Sequence, residues 1–380
     1  MKVCYIGDAG DIHVQKWLKY FADNGNDVHI ISQRSFADDG IDLDIKNVSL
    51  RLLGKIPATL KLVSSLVNLI WSIIQVRRII GKIKPDIFHV QYIGGWGFLG
   101  ALSGFHPLLM TAFGSDIFVA PKKSRINKLT IEYALRKADI ILTTSVYLKS
   151  YLHTEFRLPE HKVRIVPWGI DLKVFHKGYD SKVVELRRDL KIDANSFVVF
   201  SPRLLMEWAQ VKSIVEAMPY VLAKYPNVIL VLLKSVGKNT EYEQSTDNLA
   251  KKLGVSQNIR LIRRVFTPEE MAVMNNTSDV SISIPKSDQF ASSIMEAMVC
   301  GAIPIVGDLE VYRQYLTDGE NAFIVNPKDP GQIAETIIYC IEHPEVKEKF
   351  YTINKRIIEE KEDWNKNAYK MKEIYAEFIE

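Results

Sequence analysis

The chain has 380 residues, of which 47% are hydrophobic and 25% are charged. These proportions are typical of a globular protein and exclude a disordered or fibrous chain. The length exceeds what one hydrophobic core usually organises, so we expect two domains. Cys4, Cys300 and Cys340 have no metal-ligand or redox spacing, which favours a reducing compartment.

The net charge of +4 is distributed unevenly along the chain. Residues 1–170 contain 22 Lys and Arg against 14 Asp and Glu, a net charge of +8, whereas residues 171–380 contain 27 against 31, a net charge of −4. A basic N-terminal half is suited to anionic lipid or to an acidic acceptor. An ordinary solvated surface explains the same excess, and the charge alone does not decide between them.

The N-terminus, MKVCYIGDAGD, lacks the cationic start and long apolar stretch of a signal peptide. The longest apolar stretch, residues 60–80, contains Lys61, Asn68 and Gln75, so it is not predicted to span a membrane. We expect an amphipathic helix that covers a sheet, and a membrane-surface helix is the alternative. The expected location is the cytoplasm, with peripheral contact at the inner membrane face left open.

Short β-branched runs alternate with helical patterns along nearly the whole chain. The runs are KVCYIG, VHIIS, DIFHVQ, LLMTAF, DIILTTS and VRIVPWG in the first half, and FVVFSP, VILVLLKS, IRLIRRV, DVSISIP, IPIVGD and AFIVNP in the second. Such alternation predicts βαβ units and parallel sheets. The predicted fold class is therefore α/β, with two Rossmann-like doubly wound domains, 1–168 and 169–362, facing a cleft and joined by a linker at 167–182.

Ligands of such sheets bind outside the carboxyl ends of the strands, so the loops there are the candidate sites. Residues 286–301 follow one predicted strand and place Asp288 eight residues before Glu296. Ser293 and Glu296 fit a helix capping box, and Gly301 fits its C-cap. Alternatively, free amides at residues 292–295 bind a phosphate, and Glu296 accepts hydrogen bonds from ribose hydroxyls. Asp288 would then reach the sugar that lies beyond the phosphates.

Three further loops carry polar groups. Arg203 follows FVVFSP, and a guanidinium there is suited to a diphosphate. The stretch GDAGDIH at residues 7–13 lacks the full G-x-G-x-x-G fingerprint, although it allows a close backbone approach to a ligand. The stretch AFGSDIF contains Gly114, Ser115 and Asp116, which suit either acceptor hydroxyls or a simple turn.

Motifs for metal and hydrolase chemistry are scarce. Asp42 and Asp44 have the D-x-D spacing of some sugar transferases, but no apolar strand precedes them, so no metal site is predicted there. The sequence contains no H-E-x-x-H and no G-x-S-x-G motif. Metallohydrolases and serine hydrolases are therefore disfavoured.

Taken together, these residues resemble glycosyltransferase family 4, the retaining, nucleotide-sugar-dependent enzymes of the GT-B fold. The resemblance covers nearly the whole chain and depends most on SDQFASSIMEAMVCGAIPIV, which looks like the family's S-E-G-F-G-x-x-x-x-E-A-M-A-x-G-x-P-V-V. KPDIFHVQ, GSDIF, VRIVPWGIDLKVF and SPRLL are similar to other family segments. The family's paired acids fall on Asp288 and Glu296.

The resemblance implies an acceptor-binding first domain, to which the last helix, 363–380, crosses back, and a nucleotide-sugar-binding second domain. For the nucleotide, it implies that Glu296 binds the ribose, that Ser292, Ser293 and Arg203 bind the diphosphate, and that Val265 and Phe266 contact the base. For the donor sugar, it implies contacts with Asp288, Gln289 and Phe290. For the acceptor, it implies contacts with Gly10, Asp11 and Asp116. Asp288, Arg203 and Asp116 are the predicted catalytic residues.

Three positions depart from the family pattern. The first acid is the shorter Asp288, the family's second phosphate cation falls on Ala209, and the histidine of the H-G-x-D loop is Phe113. Lys212 or Lys234 is expected to replace the missing cation, and a weaker phosphate site is the alternative.

The function implied is transfer of a hexose from a UDP- or GDP-sugar to a hydroxyl of a glycan or lipid-linked acceptor, in surface polysaccharide or glycolipid synthesis. Neither a metal, nor another cofactor, nor nucleic acid is expected to take part. A catalytically silent relative acting as a partner subunit is the alternative. A solute receptor is disfavoured by the missing export signal, and a dehydrogenase by the missing glycine-rich fingerprint.

Overall fold

The computed structural model describes residues 1–36, 47–54, 65–236 and 240–379, and for residues 65 and 66 the backbone alone. Contacts within the chain divide it into two compact units, Met1–Trp168 together with Asn365–Glu380, and Gly169–Trp364. Asp42 and Asp44, considered above as metal ligands, lie outside the described residues.

The first unit is built on a parallel sheet of seven strands, in the order β3-β2-β1-β4-β5-β6-β7. The strands are β1 (Lys2–Ile6), β2 (Asp27–Ser32), β3 (Val48–Leu52), β4 (Ile87–Gln91), β5 (Leu108–Thr111), β6 (Ile140–Thr143) and β7 (Val163–Ile165). All six strands predicted for this half are present. The edge strand β3 was missed, because its half-exposed VSLRL pattern is weaker than the buried apolar runs.

Helices connect these strands and cover the sheet. They are α1 (Ile12–Asp23), α2 (Ser65–Ile83), α3 (Phe98–Ser103), α4 (Ser115–Phe118), α5 (Ala120–Lys123), α6 (Arg125–Lys137) and α7 (Val146–Phe156). In α1 the buried side chains recur at helical spacing, and Asp11 caps the first turn. Gly25, at φ +76°, follows the end of α1 in a left-handed conformation that glycine adopts at little cost.

The second unit contains a parallel sheet of six strands, in the order β10-β9-β8-β11-β12-β13. The strands are β8 (Phe197–Leu204), β9 (Val228–Leu233), β10 (Ile259–Ile262), β11 (Val280–Ser283), β12 (Ile303–Gly307) and β13 (Phe323–Val325). These are the six strands predicted for the second half. In both sheets the strand order reverses beside the first strand, the arrangement of a doubly wound Rossmann-like fold.

Helices cover both faces of this second sheet and bury an apolar cluster on each side of it. They are α8 (Asp180–Asp189), α9 (Val211–Lys224), α10 (Glu241–Lys252), α11 (Pro268–Thr277), α12 (Ser292–Cys300), α13 (Pro330–Glu342) and α14 (Glu345–Lys361). The capping box predicted at Thr267 and Glu270, with Pro268 at the first helical position, is confirmed in α11.

The last helix, α15 (Trp364–Ala376), packs on the first unit through buried polar and aromatic contacts. The Tyr375 hydroxyl lies 3.0 Å from the Tyr5 hydroxyl and also contacts the imidazole of His89, and its ring stacks on Phe21. His89 in turn lies 2.7 Å from the Thr111 hydroxyl. These bonds satisfy polar groups that would otherwise be costly to bury, and they fix the helix against β1 and β4.

Candidate functional site

The carboxyl ends of β8 and β11 meet at the point where the strand order of the second sheet reverses. Arg203 is the second-last residue of β8 and lies within an irregularity in the pairing of β8 with β9, between Ser201 and Leu204, so it belongs to the strand end and not to the following loop. Its Nε donates to the Ser283 hydroxyl at the end of β11, over 2.8 Å. One guanidinium therefore bridges the two strands at the expected ligand position of a doubly wound sheet.

Asp288 lies in the loop after β11 and forms an ion pair with Arg203. The Tyr312 hydroxyl donates to the same carboxylate over 2.8 Å, and the Gln289 amide donates to its other oxygen over 2.9 Å. Burial raises the pKa of Asp288, while the Arg203 guanidinium and the Tyr312 hydroxyl act against that rise. The carboxylate is thus held as the counter-ion of Arg203.

The guanidinium retains donor capacity in this arrangement. Its side chain is 15% exposed, and within the described parts of the chain Nη1 donates to no acceptor. The Trp208 ring covers it at 5.4 Å, and the Trp208 indole donates to Ser287 over 3.2 Å. A planar cation held by hydrogen bonds at two of its nitrogens and covered by a ring can donate from its third nitrogen to an anionic oxygen without reorganising.

The start of α12 differs from the predicted capping box. Ala291 is the N-cap and no side chain caps the helix, so Ser293 is the second helical residue. Of the four amides predicted to be free, those of Ile294 and Met295 donate to the Ala291 carbonyl. The amides of Ser292 and Ser293 donate to no described residue, and the buried Ser293 hydroxyl has no described partner.

The remainder of α12 follows the prediction more closely. Gly301 ends the helix at φ +87°, as predicted for its C-cap. Glu296 is in the second turn, one turn after the open amides of Ser292 and Ser293, because α12 begins at Ser292. An anion bound at those amides would be near the positive end of the helix dipole.

The cations expected to supplement Arg203 have different surroundings. Ala209, which stands where the family has a lysine, is buried in the turn before α9. Lys234 is buried and paired with Asp247 at 2.5 Å, so its charge is already neutralised. Lys212 is half-buried, with its ammonium 4.7 Å from the centre of the Tyr242 ring. Of the two replacements considered, Lys212 alone has no carboxylate partner among the described residues.

The loop after β10 contains the two residues predicted to contact the base. Val265 is 39% exposed, and Phe266 packs against the core with the Arg264 guanidinium 4.6 Å from its ring centre. A half-exposed apolar pair of this kind suits the flat face of a base.

Gln289 and Phe290 were predicted to contact the donor sugar, and the structure gives Phe290 a packing role. Its ring is 6% exposed and stacks on Tyr315 at 4.2 Å. Tyr315 donates to Glu362 over 2.7 Å, and burial raises the pKa of Glu362 to about 7. Phe290 therefore supports the loop that carries Asp288 and does not present its ring to a ligand.

In the first unit, Asp116 is fully buried and its carboxylate accepts from backbone amides. Ile93 donates over 2.7 Å, Gly114 over 2.8 Å and Phe113 over 3.0 Å. Burial raises the pKa of Asp116 to about 6 against the effect of these amides. Asp116 thus ties the ends of β4 and β5 together from inside, as in the simple turn considered for this stretch, and its catalytic role at the acceptor stays a prediction.

Asp11 is likewise used by the fold. Its carboxylate caps α1 by accepting from His13 over 2.8 Å and Val14 over 3.2 Å, and the Gly10 amide donates to Asp8. The neighbouring His13 ring stacks on Trp168 at 3.8 Å. Burial, together with Lys16, lowers the pKa of His13 to about 3. The predicted acceptor residues thus surround an aromatic cluster.

Phe113, which stands where the family has a histidine, is a member of this cluster. Its ring packs edge-on against Trp168 at 5.2 Å and Tyr92 at 5.9 Å. The substitution therefore exchanges a polar group for aromatic packing. The indole nitrogen of Trp168 is buried and has no hydrogen-bond partner among the described residues.

Comparison with known proteins identifies the family. The model described as glycosyl transferase 4-like matches residues 2–145, and the model described as glycosyl transferases group 1 matches residues 183–371. This chain is a group 1 glycosyltransferase. Both units are covered, and the resemblance to glycosyltransferase family 4 is confirmed.

Individual relatives of this glycosyltransferase are distant. Spore coat protein SA of Bacillus subtilis is 23% identical over 66% of this chain and 68% of that protein. The uncharacterized glycosyltransferase MJ1069 of Methanocaldococcus jannaschii is 23% identical over 69% and 66%. The structure of Anabaena Alr3699/HepE in complex with UDP matches with a TM-score of 0.82 at 17% identity, over 99% and 100% of the two chains. The fold is that of the GT-B glycosyltransferases, as predicted.

The described residues of the glycosyltransferase contain neither a candidate metal-binding cluster nor a candidate membrane span. No group of three or more His, Cys, Asp or Glu side chains is placed there to hold a metal ion. No helix in the same residues is both long enough and apolar enough to cross a bilayer.

Sequence reasoning missed three contributors to the site of this glycosyltransferase, namely Ser283, Trp208 and Tyr312. Ser283 was detectable as the last polar residue of the predicted strand DVSISIP. Tyr312 reaches Asp288 from the segment after β12, and no local pattern marks that contact.

Proposed function

We propose that the chain is a retaining, metal-independent hexosyltransferase that moves a sugar from a UDP- or GDP-sugar to a hydroxyl of a glycan or lipid-linked acceptor. The observation that supports this best is Arg203, fixed between Ser283 and Asp288 with its Nη1 open. Complexes of the Anabaena relative with UDP and with UDP-glucose give additional support for a nucleotide-sugar donor.

In the proposed reaction, the bond between the anomeric carbon and the diphosphate oxygen breaks, and its electron pair remains on the departing nucleoside diphosphate. The acceptor oxygen forms the new bond to the anomeric carbon, and its proton passes to an oxygen of the departing diphosphate. Arg203 and the amides of Ser292 and Ser293 would stabilise the charge that grows on the leaving oxygen. Glu296 would accept from the ribose, and Asp288 would orient Arg203 and the sugar.

The product chemistry and its setting belong to the same proposal. We infer retention of the anomeric configuration, a role in surface polysaccharide or glycolipid synthesis, and peripheral contact with an anionic membrane. The first unit would receive the acceptor beside Gly10 and the aromatic cluster, and the second unit would bind the nucleotide. The anomeric configuration of the transferred sugar, measured by NMR on the fresh product, tests the first of these statements.

Calorimetric titration with UDP, GDP and ADP tests the nucleotide site. We expect one of them to bind with EDTA present, because Arg203 and helix amides supply the positive charge. Arg203→Ala should weaken binding about 10- to 100-fold, since a hydrogen bond to a charged group contributes about 1.5–3 kcal/mol. Glu296→Ala should weaken it about tenfold by removing the acceptor of the ribose hydroxyls.

Arg188→Ala is the matched control, because Arg188 is an exposed arginine of the same unit on α8. It should bind nucleotide as the wild type does. Absence of binding by any of the three nucleotides would contradict the proposal and favour the silent partner subunit, as would equal losses in the Arg203 and Arg188 variants.

A further inference from the structure

The outer face of α6 is apolar although it faces solvent. Ile126 is 73% exposed, Leu129 64% and Tyr133 37%, and their spacing places them on one stripe of the helix. The opposite face packs Ile131 and Leu135 into the core of the first unit. The fold therefore leaves Ile126 and Leu129 largely exposed on a second apolar stripe of this helix, and the third member of the stripe, Tyr133, contacts Phe98 of α3.

Cations surround this stripe. Residues 119–137 contain six Lys and Arg and one acid, Glu132. All six are exposed, namely Lys122, Lys123, Arg125, Lys128, Arg136 and Lys137. Helical geometry places Arg125 and Arg136 along one edge of the stripe and Lys137 at its C-terminal end. An apolar centre with a cationic border is thus concentrated in one short segment.

Helix α2 repeats this pattern on the same side of the sheet. Ile70 is 49% exposed, Trp71 39% and Ile74 36%. Residues 65–84 contain four Lys and Arg and no acid. A helix with exposed Trp and Ile and only cationic charges has the composition of an interfacial helix.

Helix α3 links the two helices. The Arg77 guanidinium of α2 donates to the Leu102 carbonyl of α3, and the Tyr133 ring of α6 packs edge-on against Phe98 of α3 at 5.8 Å. All three helices contribute to one core cluster. We call the outward faces of α2 and α6 the α2–α6 surface.

We propose that the α2–α6 surface docks the protein onto an anionic lipid bilayer. The proposal rests on the membrane contact inferred above and adds the residues that make it. Lipid headgroups would neutralise the cations while Ile126, Leu129, Ile70 and Trp71 enter the boundary between headgroups and acyl chains. Neither stripe is long enough to span, so the protein would lie on the surface.

Charge and composition disfavour other occupants. A second copy of this chain would bring the same positive surface against itself, and like charges repel across an interface. A nucleic acid would satisfy the cations, but it would leave the exposed Ile and Leu side chains without an apolar partner. A bilayer satisfies both the cationic border and the apolar centre.

Co-sedimentation of the full chain with vesicles tests the proposal. Binding is expected to vesicles of phosphatidylcholine mixed with phosphatidylglycerol, and not to phosphatidylcholine alone. Lys122→Gln with Arg125→Gln should weaken binding about 25-fold, since each cation near an anionic surface contributes about 1 kcal/mol. Ile126→Ser with Leu129→Ser should weaken it about tenfold or more by removing buried apolar area.

Val184→Ser with Arg188→Gln is the matched control, because Val184 is 70% exposed on α8 of the second unit. This variant should bind vesicles as the wild type does. The proposal would be overturned if vesicle binding did not depend on phosphatidylglycerol. It would also be overturned if the variants of the α2–α6 surface bound vesicles as the wild type does. A third contradicting result would be a wild type that does not bind vesicles but self-associates or binds DNA, with that association abolished in the variants of the α2–α6 surface. Calorimetric titration of the same variants with nucleotide shows whether the nucleotide site is intact, so a loss of vesicle binding can be distinguished from a loss of nucleotide binding.

Discussion

Asp116 and Asp288 occupy comparable places in the two units, because each lies shortly after a parallel strand, Asp116 in the first turn of α4 and Asp288 in the loop after β11. Their partners are different. Asp116 accepts from three backbone amides and forms no ion pair with any cation of the described residues. Asp288 accepts from Arg203, Tyr312 and one amide. An acid bound to backbone fixes a loop, whereas an acid bound to a cation sets the direction of a group that can bind a ligand.

The comparison also shows how similar burial leads to different chemistry. Burial raises the pKa of both carboxyls. Around Asp116 the opposing groups are backbone amides, which serve the fold alone. Around Asp288 they are side chains that converge on the switch point of the sheet, where a diphosphate is expected. Acidity by itself therefore does not identify the functional loop.

Asp116→Ala should have the largest effect on stability. The change leaves the amides of Ile93, Phe113 and Gly114 buried without acceptors, at a cost of about 4 kcal/mol in the free energy of unfolding. Urea unfolding followed by tryptophan fluorescence measures it. Asp11→Ala, which removes a half-exposed helix cap, should cost only about 1 kcal/mol. Equal shifts in the two variants would remove the distinction drawn for Asp116.

Asp116→Asn should remove a pH dependence of stability. The folded protein holds the Asp116 proton up to about pH 6, whereas the unfolded chain loses it near pH 4. The folded state therefore binds more protons between these values, and the free energy of unfolding falls by about 3 kcal/mol as pH rises through this window.

Urea midpoints at a series of pH values, for the wild type and Asp116→Asn, measure this difference. The wild type should lose stability relative to the variant as pH rises from about 4 to about 6. Asp180→Asn, which changes an exposed acid of α8, should follow the wild type. A constant difference between the wild type and Asp116→Asn across the window would contradict the raised pKa.

Tyr312→Phe should have a smaller effect, and it should appear in ligand affinity. Without the hydroxyl, Asp288 holds Arg203 less firmly, so we expect nucleotide binding to weaken about 3- to 10-fold. Tyr315→Phe is the control, because the Tyr315 hydroxyl donates to Glu362 instead. Calorimetry measures the nucleotide affinity of both variants. Equal losses of affinity in the two variants would contradict the positioning role of Tyr312.

Local patterns predicted most of the fold. The twelve apolar runs formed strands because each is long and β-branched enough to lie in a buried parallel sheet. Thr267 and Gly301 were predicted correctly because a cap depends on neighbouring residues alone. Edge strand β3 was missed because half of its side chains face solvent and its pattern is weak.

Local patterns were less informative at the candidate site. The predicted capping box at Ser293 was wrong by two residues, because Ala291 takes the N-cap without a side-chain bond. The contact of Tyr312 with Asp288 joins residues 24 positions apart, from segments after different strands. Lys234 was a candidate cation until its buried pairing with Asp247 was known.

The sequence by itself determined the class of fold, the family and which loops carry polar groups, because periodicity and motifs are properties of adjacent residues. Tertiary structure decided which acid is held by backbone amides and which is paired with a cation. Burial and hydrogen-bond partners come from segments distant in the chain, and they give Asp116 three amides and Asp288 a cation. They also left the apolar stripe of α6 facing solvent, where its spacing alone would have predicted core.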